Sequence, residues 1–449
     1  MSHRWISGLI MACGLTAFLF SSATAYRTLH CNDFKHIYLG MQALASGDEP
    51  YSPASLVVQA RRHGLQNADL NPYVYPPFTG LSLTFLAPLQ FEAAAHVWFL
   101  LNLVFTTVSI WLIAWSLCAG MKDEPRRCGI GVLFGLVMLA IGLNHPYIRT
   151  LTAGQLTCVL LLCQSAAFAA LRSRRNALAG GILGFAALFK LTPGLFLFYF
   201  LLRRRWHALA SMAAACVILL GISLAFTGRE IHARFLTILP QMGYGHSVWE
   251  EHNATFWKDP WNQSVNSFMT HIMVSGNKVA SPWLAMSQQT ANRLTIIVSA
   301  LLCALFIWCV KSQKRTGVAG DEMTVADEAG YMGAIALALL LPSLMWDHYL
   351  LLLVLPASWL ACYYGLRRRW MLLAVVCVLY GAASAPWHFD SPLFQAGWAV
   401  PLMSMKLFPV LGMYVMCCGA AKTENACRSP ARKYTNVTSW FMTMIGNCR

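Results

Sequence analysis

Long apolar runs alternate with short basic turns along almost all of this 449-residue chain, and a few polar islands interrupt them. An α-helix needs about 20 apolar residues to cross the hydrocarbon core of a bilayer. Trp5 to Ala25 therefore predicts a first span, with Arg4 on its inner flank, followed by a polar outer loop over 26–75. Apolar sequence resumes at Pro77 and runs to Ala119, broken at Pro88. That length predicts a short segment dipping into the membrane and then a full span. Spans follow near 129–143 and 156–171, and between them the chain lies outside over Asn144 to Arg149. From Ala177 to Leu202 both flanks are basic and Pro193 breaks the middle, which predicts a hairpin of two short helices bent at Lys190-Leu191-Thr192-Pro193. A span near 208–226 leads to a second long outer loop over 227–292. Further spans are expected near 294–310 and 331–344, from Tyr349 to the Arg367 turn, and near 371–385 and 396–418.

Charge sets the orientation. Arg4, Lys122, Arg126, Arg127, Arg172, Arg174, Arg175, Arg203-Arg204-Arg205, Lys311, Lys314, Arg315, Arg367-Arg368-Arg369 and the tail residues Lys422, Arg428, Arg432 and Lys433 all fall on one face of the membrane. Basic loops mark the cytoplasmic side. The expected protein is an all-α, polytopic protein of the cell membrane with about twelve hydrophobic helices, some re-entrant or broken. It forms one domain over 1–449, with a cytoplasmic tail at 419–449.

Composition agrees. Hydrophobic residues make up 57% and charged residues 11%, against roughly 25% charged in soluble domains. The net charge of +15 lies in short runs between apolar stretches, so its partners are membrane lipids and nucleic acid is not expected. The 15 cysteines are scattered, many of them in apolar runs, and none shows zinc spacing. Arg4, the run from Trp5 to Phe20 and Ala23-Thr24-Ala25 also resemble a cleavable signal, although an uncleaved span is preferred.

Polar islands gather on the outer face: Asn32-Asp33-Phe34-Lys35, Trp261-Asn262-Gln263-Ser264 and Trp346-Asp347-His348. A carboxylate just outside the bilayer can take a proton from a hydroxyl, although an arbitrary Asp33 more often caps a helix or pairs with Lys35. After it comes a surface helix ending at Gly47 and a turn to Tyr51, and then Tyr75-Pro76-Pro77 fixes re-entry. The aromatic and carboxamide groups of the second island suit a sugar and suit an interfacial belt equally well. Asn262, Asn253 and Asn436 each begin a glycosylation triplet, a pattern too common to carry weight. Asp347 and His348, set between apolar runs, invite a phosphate or a substrate hydroxyl; an interfacial pair without a ligand is the plainer reading. Lys190 at the hairpin bend is costly to bury and therefore a functional candidate.

Taken in order, Asp33-Phe34 with Tyr38, the Gly47–Tyr51 turn, Tyr75-Pro76-Pro77, Gly154-Gln155, Lys190-Leu191-Thr192-Pro193, Asn262-Gln263-Ser264 and Trp346-Asp347-His348 resemble glycosyltransferase family 87, within the GT-C class. The resemblance runs from about Asp33 to Pro356. It implies a polyprenyl-phosphate sugar donor, typically the mannose derivative, and transfer to a lipid or glycan acceptor at the extracytoplasmic face. By the same resemblance Asp33 is the general base of an inverting reaction, and His348 and Asp347 belong to the motif near the donor phosphate and sugar. Where the family often has a second histidine, this chain has Tyr349. Lys190, Gln155 and Asn262 are carried over as site or structural positions, with Tyr75 and Gln263 as further site candidates.

Chemistry supports that picture. Nucleotide sugars are cytoplasmic, so an outward-facing transferase needs a lipid-linked donor, a grip on its phosphate and one base. Arg149, Lys35 and His348 are candidates for the grip. Acidic residues are dispersed, Asp48-Glu49 and Glu250-Glu251 being solvated pairs, so no metal or other cofactor is expected. A transporter or lipid-linked sugar flippase is the alternative, since broken helices such as the one at Pro193 recur in transporters. Against it, ionisable residues concentrate at the outer surface and not at the midplane, apart from Lys190.

Overall fold

The computed structural model describes residues 3–65, 70–119, 123–246, 248, 259–276, 282–311, 322–389 and 391–426. Lys122, the Glu250-Glu251 pair, Trp257, Lys314, Arg315, Arg428, Arg432, Lys433 and the triplets beginning at Asn253 and Asn436 lie outside them. Every named element is helical. α1 (His3–Arg27) is long and apolar enough to be the first span, and it leads into α2 (Asn32–Ala45) and α3 (Pro53–Arg62), which fill the segment expected to be the first outer loop. α2 ends at Ala45, and Gly47 just beyond it, with a φ of 74°, turns the chain as the sequence predicts. The segment expected to dip into the membrane forms α4 (Pro77–Ser82) and a short 3-10 turn, Thr84–Leu86, and α5 (Phe91–Leu117), long and apolar enough to span, follows it.

α6 (Asp123–Gly142) packs along α1, where Ser21 donates to the carbonyl of Gly142 at 2.5 Å. α7 (His145–Ala153) leaves α6 at a bend of 69°. Asn144 caps the new helix by accepting from the Tyr147 amide at 3.0 Å, and Pro146 sits in the first turn, where no N–H is needed. The sequence assigns no element to this stretch; the cap and proline make it a helix.

α8 (Thr157–Arg172) and α9 (Asn176–Phe189) follow, and then α10 (Leu195–Leu202) after a 3-10 turn at Thr192–Gly194. The hairpin expected around Pro193 is thus present, with Lys190 at the break. α11 (Trp206–Ile238) is longer than the expected span, because the chain breaks at Gly228 and resumes as helix. Its second part reaches the first outer segment, where Arg234 pairs with Glu49 at 3.4 Å and Phe235 stacks near Tyr51. A 3-10 turn, Leu239–Met242, ends it. The second outer segment therefore holds helix at its start and, near its end, α12 (Val265–Met273).

α13 (Gln288–Val310) and α14 (Val325–Leu340) come next, and a 3-10 stretch, Asp347–Leu353, continues into α15 (Val354–Leu366). α16 (Trp370–Ser384) and α17 (Leu407–Ala426) complete the set; a 3-10 stretch, Gly397–Ser404, meets α17 at 56°. Among the described residues five helices are long and apolar enough to cross a membrane, seven if each bent pair counts as one, and four shorter apolar helices accompany them. The protein is a helical polytopic membrane protein, while the expected count of about twelve is not confirmed by helix length.

Several of the basic residues that set the expected orientation are internal ties. Arg203 Nε donates to Asp327 Oδ1 at 2.6 Å and Arg205 donates to Asp327 Oδ2 at 2.9 Å, all buried. Arg172 pairs with Glu328 at 2.7 Å, and the Trp359 indole donates to the other Glu328 oxygen at 2.8 Å. Asp327 and Glu328 in the first turn of α14 thereby bind α8, α10 and α15 together.

Candidate active site

A cavity of about 520 Å³ opens where α2, α7, the α9–α10 break and the two later polar islands meet. Its lining includes Asp33, His36, Asn71, Tyr75, Arg149, Gln155, Lys190, Trp261, Asp347, His348 and Tyr349, together with the apolar Leu191, Leu239, Met242, Pro342 and Leu344. Residues more than 300 positions apart in sequence thus share one space. Of the residues singled out from sequence, Lys35, Asn262 and Gln263 do not line it.

Asp33 is placed by α7. The amides of His30 and Cys31 donate to the Thr152 carbonyl at 3.1 and 2.8 Å, which ties the start of α2 to the end of α7. Just beyond Thr152, Gly154 adopts φ 71°, and a Cβ there would lie 2.5 Å from the Phe34 Cβ. Only glycine permits both that backbone and that approach. The Trp98 indole donates to the Gly154 carbonyl at 2.9 Å and stacks on Phe34 at 5.7 Å. The turn delivers Gln155, whose Nε2 donates to Asp33 Oδ2 at 2.6 Å. Burial pushes the Asp33 carboxyl above the usual carboxylate range, and the Gln155 hydrogen bond, His30, Lys190 and Arg149 oppose that rise.

Next to it, His36 packs on Asn71, Nε2 lying 3.0 Å from the carboxamide nitrogen. Burial first, and Lys35 second, push this imidazole down to about 3, so it is neutral and only a hydrogen-bonding group.

The basic side chains on the cavity are Lys190 and Arg149. The Lys190 ammonium is buried, has no hydrogen-bond partner and lies 3.6 Å from the centre of the Tyr349 ring. Arg149 lies over the Trp261 ring at 4.3 Å and keeps 40% of its side chain exposed. His348 is buried with Nε2 unpartnered, and Thr150 on α7 donates to its carbonyl at 3.2 Å. A buried donor without a partner costs about 1–3 kcal/mol. Both atoms belong to residues that line the cavity.

Asn262 and Gln263 act as straps. Asn262 Nδ2 donates to the Ser343 carbonyl and its Oδ1 accepts from the Met345 amide, both at 3.0 Å. Gln263 donates through its backbone to Met345 at 2.8 Å and through Nε2 to Met403 at 2.9 Å. Ser264 caps α12. The second island is thus bound to the third, which sets Trp261 against Arg149.

Two residues that sequence reasoning passed over complete the third island. Lys406 is fully buried and pairs with Asp347 Oδ1, while His145 Nδ1 and Arg149 Nε lie 3.5 and 3.8 Å from Asp347 Oδ2. Lys406 was findable as a lone lysine between Met405 and Leu407 in an apolar run.

A helical membrane bundle that surrounds a buried carboxylate and cations with an apolar-walled cavity has the makings of an enzyme acting at the membrane boundary. The chain belongs to glycosyltransferase family 87, whose family model matches residues 73–326. It is 26% identical over 342 residues, 73% of each chain, to a polyprenol-phosphate-mannose-dependent alpha-(1-2)-phosphatidylinositol pentamannoside mannosyltransferase of Mycolicibacterium smegmatis. A protein of the same description from Mycobacterium tuberculosis is 24% identical, over 73% of this chain and 69% of its own. A polyprenol-phosphate-mannose-dependent alpha-(1-2)-phosphatidylinositol mannoside mannosyltransferase of Mycobacterium tuberculosis is 28% identical, over 68% of this chain and 65% of its own. No solved structure matches. The protein is a membrane glycosyltransferase.

Proposed function

We propose that this glycosyltransferase moves a mannosyl residue from polyprenyl-phosphate mannose to a hydroxyl of a mannosylated glycolipid, at the extracytoplasmic face of the cell membrane. The observation that carries the reading is the joint presence of Asp33, Gln155, Lys190, Arg149 and His348 on one cavity with an apolar wall. Its volume, about 520 Å³, lies within the ~300–1,000 Å³ of small-molecule sites. The donor and acceptor classes come from the relatives, whose names state a polyprenol-phosphate-mannose dependence and phosphatidylinositol mannoside substrates.

In this mechanism Asp33 takes the proton of the acceptor hydroxyl while Gln155 fixes the carboxylate. The freed oxygen attacks the anomeric carbon, and the bond from that carbon to the phosphate oxygen breaks. Polyprenyl phosphate leaves with the electron pair. Arg149, Lys190 and the unpartnered His348 nitrogen face the cavity to meet the negative charge that develops on the phosphate. Leu191, Leu239, Met242 and Leu344 offer the apolar surface that the first prenyl units need. One displacement inverts the anomeric centre and needs a single carboxylate.

The test is a panel of labelled donors offered to membranes containing the protein. Label moving to lipid from polyprenyl-phosphate mannose and not from GDP-mannose supports the proposal; the reverse pattern rejects it.

A further inference from the structure

The Asp347 carboxylate stands between two cationic groups of different character. Oδ1 pairs with Lys406, which is buried and held by its own backbone amide, donating to Gln263 Oε1 at 3.0 Å. Oδ2 has no hydrogen-bond partner and faces His145 Nδ1 at 3.5 Å and Arg149 Nε at 3.8 Å. Arg149 is thus near the carboxylate without being locked to it, and its guanidinium lies over Trp261 beside the cavity. Lys406 itself does not line the cavity, and it lies beyond the residues that the family model matches.

Resting on the proposed use of Arg149 as a phosphate grip, we propose that Lys406 is a positioning residue that neutralises Asp347 and so leaves the Arg149 charge available to the donor phosphate. A lone buried carboxylate takes the nearest cation as a partner, because its desolvation is otherwise uncompensated. Without Lys406 that partner is Arg149. The guanidinium would then turn from Trp261 to Asp347 and lose its charge toward the cavity. With Lys406 in place the carboxylate is already paired, and Oδ2 holds Arg149 and His145 at a distance that orients them without quenching them. The Gln263 strap fits this role, since it fixes the lysine backbone from the second island and couples both islands to one charge.

Binding of polyprenyl phosphate, the leaving product, tests the idea independently of the sugar. Calorimetry on the detergent-solubilised protein would compare wild type with Lys406→Met, Lys406→Arg and the double variant Lys406→Met with Asp347→Asn. The expected result is a roughly tenfold weaker Kd for Lys406→Met, the size of one charged contact. Lys406→Arg keeps the charge and should restore binding to within about threefold, and the double variant should do so as well because no free carboxylate competes for Arg149. If Lys406→Met does not fold, the arginine and double variants carry the test, and weak binding by the double variant overturns the proposal. Unchanged Kd in Lys406→Met with a lowered Tm would show a packing role only and overturn it too. A wild type that neither binds polyprenyl phosphate nor transfers sugar rejects the donor reading beneath it.

Discussion

Gln155 donates a 2.6 Å hydrogen bond to Asp33 across 122 positions of sequence, and it comes from a turn that Gly154 alone makes possible. The bond occupies one carboxylate oxygen and favours the ionised form, against a burial effect that favours the protonated one. Replacing Gln155 by Leu should lower kcat about 10- to 100-fold by freeing the carboxylate to rotate. It should also move the acid limb of kcat/KM to higher pH, because the raised carboxyl loses its main opposing contact. A pH–rate profile of both proteins checks the pair of effects.

The raised Asp33 carboxyl has a stability consequence of definite sign. Its folded form holds a proton more tightly than its unfolded form. Below the ordinary carboxylate range both forms are protonated and the group contributes nothing. As pH rises through that range toward the folded value, the unfolded state ionises first and stability falls; the loss is complete above the folded value. At neutral pH Asp33→Asn should therefore leave Tm unchanged or raise it. Thermal unfolding of the solubilised variant at acid and neutral pH measures this, with the wild type losing more than the variant as pH rises.

Gly154→Ala asks the chain for two incompatible things. Alanine at φ 71° is strained, and its Cβ would meet Phe34 at 2.5 Å. A positive φ alone costs about 1–3 kcal/mol, and relief of the clash would displace the start of α2 that carries Asp33. Lower Tm together with a loss of turnover is expected, whereas Gly64→Ala, also at positive φ but with open space around it, should lose stability with turnover retained.

Asp327→Ala leaves Arg203 and Arg205 buried without their shared carboxylate. Breaking a buried pair from one side costs roughly 3–5 kcal/mol. Denaturation in mild detergent should show that loss. Its distance in the fold from the cavity predicts that the fraction still folded keeps a normal donor KM.

Much of this arrangement is legible in sequence because apolar length and proline breaks are local. The short helices before Phe91 and the helix break at Lys190 follow from runs of neighbouring residues. Asp33, Lys190 and His348 stand out as polar groups set in an apolar chain, whereas Gln155 enters only through the family resemblance. What escapes are relationships that depend on a distant partner. Lys406 reads as one more lysine until Asp347 is seen beside it. Asn262 and Gln263 have the chemistry of a sugar site, and only the carbonyls of Ser343 and Met403 show that they strap loops together. Arg203 and Arg205 read as cytoplasmic loop charges, yet their partner lies 124 and 122 residues further on. The helical turn after Asn144 was hidden because its cap is a single side chain.

The central claim is that Asp33 is the base of a transfer from polyprenyl-phosphate mannose. The decisive measurement is transfer of label from that donor by purified wild type and Asp33→Asn at matched folded concentration, with donor binding measured in parallel. The account predicts label in a lipid product with wild type, a loss of at least about 10³-fold with the variant, and donor binding retained by both. A variant that keeps most of its turnover while binding donor normally would contradict it.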